Sequence, residues 1–545
     1  MPPATARGRD AVDTDGAAVT DRTGGTRPVD RLNGTAPTRG DLLTALGIAV
    51  VVMVIATLWR TAIVPTDPWH YVRSALEFPS DDWVPLGYTR YGIILANIFP
   101  ALLFKNAQAT YYFWAVVSSG VLVSVVYLIG RRWWGRLAGA VAAVLLLANS
   151  VVLLNLSRGY PDIMSVSITM LAVYLALLAR DRLLAGGGAT LLLLGVGALL
   201  GWGFEVRETT LFLWPLVAVI LWHRATLLRV VSLVGLPILA WAAIDVGISG
   251  VVYGDPLLKL HTLAGGVVPP ATTATGELSE ANVVGRPRSF YFLTTPRTAL
   301  LQPGGAWLVA TGVVAMLAVV VRNWPVRLIS ASFILMYLLN VLPAGGLDPS
   351  QPRGRLTVAR YWIQYFPSIA LVIGGLTAMA AWALARRFGG AAGARRRAVA
   401  AVAGLAVVAY PVVVGLNFLT TYPAFAPNGG AALEQLRDEL KGTGFNAPTV
   451  WTDWETKRLL PPYQRDFFGG DKVWNGRARS LTGSGEPAPG DYVLLFSARS
   501  ETCNHCRTAL RPWLAENPTV PENWELVTSS DTGNLELYRV GQVVS

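Results

Sequence analysis

Cysteine occurs twice and histidine four times in 545 residues, and that scarcity argues against two kinds of site. A pair of cysteines cannot build a disulfide scaffold, and histidines without ligand spacing do not make a metal centre; His70 and His261 stand isolated. Charge is scarce too. Asp, Glu, Lys and Arg make up 14% of the chain and hydrophobic residues 53%, whereas a soluble domain carries about 25% charged residues. Lysine stands only at 105, 259, 441, 457 and 472, so arginine carries most of the net charge of +11. In a soluble protein that charge would suggest nucleic acid. Here most arginines lie in short connections between apolar runs, where they set membrane topology, and no nucleic-acid partner is needed. Arginine in place of lysine, with abundant alanine and glycine, is the usage expected of a GC-rich bacterial genome.

What is present is a series of apolar runs of membrane-spanning length between two polar ends. Residues 1–40 have almost no large apolar side chains and read as a disordered tail. Leu42 to Trp59 is apolar and runs straight into Arg60 without a small-residue cleavage site, so it reads as a retained anchor. Further runs follow at 111–130, 137–156, 163–179, 190–204, 210–222, 227–248, 307–321, 326–342, 363–385 and 398–416. With the anchor they predict a polytopic α-helical membrane protein of about eleven spans over 41–417. Alternate threading gathers Arg131, Arg132, Arg136, Arg180, Arg182, Arg224, Arg229, Arg322, Arg327 and the arginines of 386–397 on one side. By the positive-inside rule that side is cytoplasmic, which places the N-terminus inside the plasma membrane and residues 418–545 outside.

The other side holds the chemistry. Its first loop, 60–110, opens on Thr66-Asp67-Pro68-Trp69-His70-Tyr71 and ends in Tyr91 to Phe104, which is too short for an ordinary span and reads as interfacial or re-entrant. The next is Ser157-Arg158-Gly159-Tyr160-Pro161-Asp162, and Glu205-Val206-Arg207-Glu208 closes the third. The fourth, 252–306, holds Tyr253-Gly254-Asp255-Pro256 and His261 and reads as a mobile flap. Arginines here, among them Arg90, Arg158, Arg207 and Arg360, run against the topological bias and call for an anionic substrate.

An acid just after the first helix, Tyr91-Gly92 leading into the next, Arg207-Glu208-Thr209-Thr210 with Trp214-Pro215, Tyr253-Gly254-Asp255-Pro256, and Arg360-Tyr361 before Phe366-Pro367 come in a telling order. Over Leu42 to Leu416 the chain resembles the GT-C class of membrane glycosyltransferases, of the protein O-mannosyltransferase and aminoarabinose-transferase type. Relatives commonly carry an acidic pair after the first helix, where this chain has Asp67 followed by Pro68. The resemblance implies an inverting transfer of a sugar from a polyprenyl-phosphate donor to an extracytoplasmic glycan, lipid or protein. Such a displacement needs a base for the acceptor's proton and cations for the leaving phosphate. Asp67 is the candidate base, with Asp162, or Asp81 and Asp82, as stand-ins. Arg158, Arg207 and Arg360 are candidate phosphate ligands. Tyr71, Arg90, Tyr361 and His261 are further candidates for the site. No cofactor is called for, and a divalent metal stays open.

Each residue has a plainer reading. Asp67 before proline also starts turns, Arg158 and Asp162 also suit a pair with one another, and Trp133, Trp134 and Trp362 suit interfacial anchoring. Residues 418–545 predict a small α/β domain: a helix over 431–440, strands at 449–454 and 492–497, and a hairpin of 524–528 with 535–540. Cys503 and Cys506 form Cys-Asn-His-Cys there; outside the membrane this reads as a local disulfide, half a zinc ribbon being the rival. A transporter or flippase without covalent chemistry is the competing function. The sequence shows no internal repeat and few charges in mid-helix to support it.

Overall fold

The computed structural model describes residues 34–61, 63, 67–80, 90–105, 107–223, 226–265, 284–350, 352, 356, 358–388, 393–421, 430–441, 448–457, 460–474, 477–483, 485–496, 510, 512–529 and 535–542. Asp81, Asp82, Cys503, Cys506 and most of the N-terminal tail lie outside them.

The helical region begins with α1 (Arg39–Leu58), α2 (Asp67–Leu76), α3 (Tyr91–Phe104), α4 (Gln108–Trp134), α5 (Arg136–Leu147), α6 (Ser150–Asn155), α7 (Pro161–Leu184) and α8 (Thr190–Val206). A 3-10 turn, Glu208–Leu213, leads into α9 (Trp214–Leu221), followed by α10 (Leu227–Tyr253), α11 (Leu258–Gly265), α12 (Arg288–Leu300) and α13 (Gly305–Leu317). After α14 (Trp324–Val341), a 3-10 segment, Ala359–Tyr365, opens α15 (Phe366–Phe388), and α16 (Gly393–Thr421) closes the region. All eleven apolar runs are helical, and among the described residues seven helices are long and apolar enough to cross a membrane. The run 137–156 divides where Asn149 accepts from the Val151 and Val152 amides and caps α6. The stretch 252–306, expected to be a flap, is helical in α11 and α12 among the described residues.

Burial separates inner from outer helices. In α7 83% of the apolar window is buried, but only 6% in α10. α10 and α1 turn Leu228, Leu236, Leu239, Leu43 and Leu46 outward, a surface that suits lipid and that water would penalise. At one end of the bundle Asp41 in α1 is fully buried against Arg131, at 2.6 Å, and Arg136, at 2.8 Å. The opposite end carries α2, α3 and the C-terminal region.

That region holds α17 (Gly430–Leu440), β1 (Val450–Thr452), α18 (Trp454–Lys457), α19 (Leu460–Tyr463), β2 (Ala478–Ser480), β3 (Tyr492–Phe496), β4 (Trp524–Ser529) and β5 (Leu535–Val540). The sheet order is β2-β1-β3-β5-β4, parallel across β2, β1 and β3 and antiparallel beyond. The sheet seats on the helices through one apolar cluster, in which Trp69 and Val72 of α2 and Tyr111 and Tyr112 of α4 pack with Leu436, Tyr463 and Trp474. Phe467 stacks on Tyr112 at 5.9 Å and lies under the Arg60 guanidinium, and its carbonyl accepts from the Ala109 amide at 3.0 Å. Gly469, at φ +97°, lies against the Phe104 carbonyl, where a Cβ would stand 2.4 Å from the oxygen.

Candidate active site

Asp67 begins α2, and Pro68 fits the first turn because its missing N–H would have no partner there. The stretch read as a loop is therefore helical, and Tyr71, four residues on, shares the face of Asp67. Gly92 seats α3: an added Cβ would come within 2.6 Å of the Val206 amide nitrogen, so only glycine permits this approach to the end of α8. The Trp202 indole donates to the Gly92 carbonyl at 3.0 Å and fixes the same contact. Tyr71, Ile93, Ile94, Met164, Ile168 and Val206 form one buried cluster that ties α2, α3, α7 and α8 together.

Above this floor the polar side chains meet. Asp162 stands in the first turn of α7, with Pro161 before it, where the helix dipole favours an anion. Arg207 is the C-cap of α8, where a cation is favoured. Arg207 Nη1 lies 2.6 Å from Asp162 Oδ1, with both side chains buried. Arg360 Nε lies 3.8 Å from Asp162 Oδ2, an oxygen that accepts no hydrogen bond among the described residues. The two guanidinium groups share aromatic faces: Arg207 stands 4.4 Å over Tyr361, and Arg360 stands 3.9 Å over Tyr160 and 5.2 Å from Tyr361. Arg90 donates to the Tyr71 hydroxyl at 2.7 Å and lies 3.8 Å from Glu208. Burial pushes the Tyr71 phenol up to about 12 although Arg90 opposes the shift. For Arg90, burial disfavours the charge, but Tyr71 and Glu208 outweigh it and the group is held more firmly protonated. Asp67 is close enough to act electrostatically on both Tyr71 and Arg360.

The fold thus brings Asp67, Tyr71, Arg90, Asp162, Arg207, Arg360 and Tyr361 into one cluster, from five separate stretches of chain. It adds Tyr160 and Glu208, which lie inside the loop motifs but carry no signal of their own. Two expected members stand apart. Arg158 makes no ion pair with Asp162, and its Nε is buried without a hydrogen-bond partner among the described residues; its loop is held by Ser157, which accepts from the Thr61 amide at 2.9 Å. His261 is exposed and pairs with Asp255 at 2.8 Å, which holds the Asp255 carboxyl below its ordinary range. No group of three or more His, Cys, Asp and Glu that could hold a metal ion occurs among the described residues.

The fold is that of the GT-C membrane glycosyltransferases, as its likeness to solved structures shows. Residues 94–245 match the family model described as dolichyl-phosphate-mannose-protein mannosyltransferase. Among solved structures, ArnT from Cupriavidus metallidurans in the apo state aligns at 14% identity and TM-score 0.52, covering 92% of this chain and 97% of ArnT. The same protein bound to undecaprenyl phosphate aligns at 12% identity and TM-score 0.51, covering 92% and 98%. The oligosaccharyltransferase AglB from Archaeoglobus fulgidus, in complex with an inhibitory peptide and a dolichol-phosphate, aligns at 15% identity and TM-score 0.45, covering 93% and 75%. None of the curated proteins matches the sequence.

Proposed function

We propose that the chain is a polyprenyl-phosphate-sugar-dependent glycosyltransferase that inverts the anomeric centre. Its acceptor is a cell-envelope glycan, lipid or protein on the extracytoplasmic side of the plasma membrane, where the C-terminal region also lies. The observation that carries this reading is the pair of guanidinium groups, Arg207 and Arg360, held on one buried carboxylate, Asp162, within electrostatic reach of Asp67. Guanidinium forks suit the oxygens of a phosphate and stay charged near lipid, and a GT-C fold is known here from ArnT bound to undecaprenyl phosphate.

In this mechanism the donor phosphate lies on Arg207 and Arg360, whose charge stabilises the leaving group as the glycosidic bond breaks. Asp67 takes the proton of the acceptor hydroxyl as its oxygen attacks the anomeric carbon. Asp162 is a positioning residue, since its oxygens face the two cations. Arg90 and Tyr71 complete the wall beside Asp67, and Arg158, whose Nε has no hydrogen-bond partner among the described residues, is a further candidate cation for the lipid phosphate. The test is Asp67→Asn in the purified protein, supplied with undecaprenyl-phosphate-linked sugars. Single-turnover rates fall by about two to four orders of magnitude while binding of the lipid phosphate is kept. A near-normal rate refutes the assignment of the base, and absence of transfer by the wild type from every such sugar favours the transporter reading.

A further inference from the structure

Beside the arginine cluster, α8, α9, α10 and α11 line a partly open cavity of about 180 Å³. Phe204, Trp214 and Trp241 give it apolar walls, and Glu205, Asp245 and Lys259 line it as well. Ionisable groups on membrane helices are costly and mark function more often than structure. Lys259 is accounted for, since it is buried in an ion pair with Glu205 and stands 4.8 Å over the Phe204 ring. Asp245 is not: its Oδ1 is buried without a hydrogen-bond partner among the described residues, and so is the Trp214 indole nitrogen. The lining therefore offers an unused carboxylate acceptor, an unused indole donor and aromatic faces. The space corresponds to about six water volumes at about 30 Å³ each, enough for one small polar ring.

A fixed turn brings α11 to this cavity. α10 ends at Tyr253, and Gly254, at φ +71°, reverses the backbone in a conformation that favours glycine. Asp255 Oδ1 then accepts from the Leu257 amide at 3.0 Å and Oδ2 pairs with His261. The turn so fixed lays α11 back with Lys259 at the cavity. Glu205 lies two residues before Arg207, and Glu208, the partner of Arg90, acts electrostatically on both Glu205 and Asp245. Cavity and cluster are therefore neighbours.

We infer that this cavity receives the monosaccharide of the lipid-linked donor, with Asp245 accepting from its hydroxyls and the indole rings covering its C–H face. The inference rests on the transferase reading above, with the phosphate on Arg207 and Arg360. Because Lys259, the cation of the lining, is already paired with Glu205, no free cation is left among the described lining residues for a carboxylate, so the sugar is neutral or aminated rather than a uronic acid.

The test is a binding titration with the full-length protein in lipid nanodiscs, using undecaprenyl phosphate alone and undecaprenyl phosphate carrying mannose, arabinose or 4-amino-arabinose. The wild type prefers one sugar-bearing lipid over the bare lipid by about tenfold, as one hydrogen bond to a charged group would give. Asp245→Asn and Trp241→Leu lose that preference and bind the bare lipid as before, which also shows that they fold. An equal loss of bare-lipid binding in both variants, a preference that survives both, or no preference in the wild type overturns the assignment. A preference that depends on Asp245 in a protein that transfers nothing upholds the cavity and refutes the transferase reading alone.

Discussion

Replacing Asp162 by Asn is the sharpest probe of how the cluster is built. Asn keeps an oxygen for Arg207 but removes the carboxylate charge, so the 2.6 Å bond keeps its charged donor and loses its charged acceptor, a loss of about 1 kcal/mol. Arg360, 3.8 Å from the other oxygen, loses an attraction of about 4 kcal/mol at an effective dielectric of 20, which solvent at this quarter-exposed arginine reduces. Together these place the cost within the range of about 3–5 kcal/mol for breaking a buried pair, and thermal unfolding of the detergent-solubilised protein reads it. Binding should move the other way. Three arginines, Arg90, Arg207 and Arg360, face three carboxylates, Asp67, Asp162 and Glu208, and the variant leaves one positive charge for a phosphate to balance. Affinity for undecaprenyl phosphate rises about fivefold to tenfold, on the order of 1 kcal/mol, and the lipid restores more thermal stability to the variant than to the wild type. Turnover falls, because Arg207 is no longer held in place. If Asp162→Asn keeps wild-type stability, or loses lipid binding as Arg207→Ala does, the reasoning is wrong and Asp162 meets the substrate directly.

Three further outcomes are expected. Arg207→Ala and Arg360→Ala each weaken undecaprenyl phosphate binding by about 2 kcal/mol, measured by titration, with the Asp67→Asn variant as the control that keeps its affinity. Gly469→Val forces a side chain against the Phe104 carbonyl from a left-handed backbone, which costs about 1–3 kcal/mol and loosens the sheet from the helices; limited proteolysis should cut the C-terminal region faster in the variant. The Tyr71 phenol, pushed up to about 12 by burial, favours the folded state fully below the ordinary tyrosine range near 10. That contribution is lost as pH rises through about 12, so the alkaline fall in melting temperature between about pH 10 and 12 should be shallower in Tyr71→Phe. An unchanged slope refutes the assignment.

The helices were legible because lipid imposes one simple requirement, an apolar run, and each of the eleven runs is helical, seven of them in helices long enough to cross a membrane among the described residues. The breaks were not. Asn149 caps a new helix inside an apolar run, and the described residues of the segment after α10 form α11 and α12, which its Gly and Pro did not announce. In the C-terminal region the hairpin of β4 and β5 is clear from alternation, whereas β2 is three residues long and carries no period at all. Among the site residues, Asp67, Arg207 and Arg360 could be named from charge placed at helix ends. Their partners could not, because the contact of Arg207 with Asp162 or of Arg90 with Glu208 joins positions far apart in the chain. Arg158 was the natural partner of Asp162 by proximity in sequence, yet the start of α7 directs Asp162 to α8 instead. The Lys259 and Glu205 pair left no trace in the sequence either, since a single lysine after a proline turn reads as a surface residue.

The balance of charge in the cluster bears on turnover. A site of bare arginines would hold a lipid phosphate tightly, and the product of the proposed reaction is itself a lipid phosphate. Here each guanidinium already has a partner: Arg207 and Arg360 have Asp162 with Tyr160 and Tyr361, and Arg90 has Tyr71 and Glu208. A phosphate therefore competes with carboxylates for these cations, and binding in part exchanges interactions instead of adding them, although Arg90 Nε and Arg360 Nε still have no hydrogen-bond partner among the described residues. The sugar, bound in its own cavity, then supplies the difference between donor and spent lipid. On this reading the donor is held by two contacts and the product by one, and the lipid phosphate leaves because Asp162 takes back its arginines.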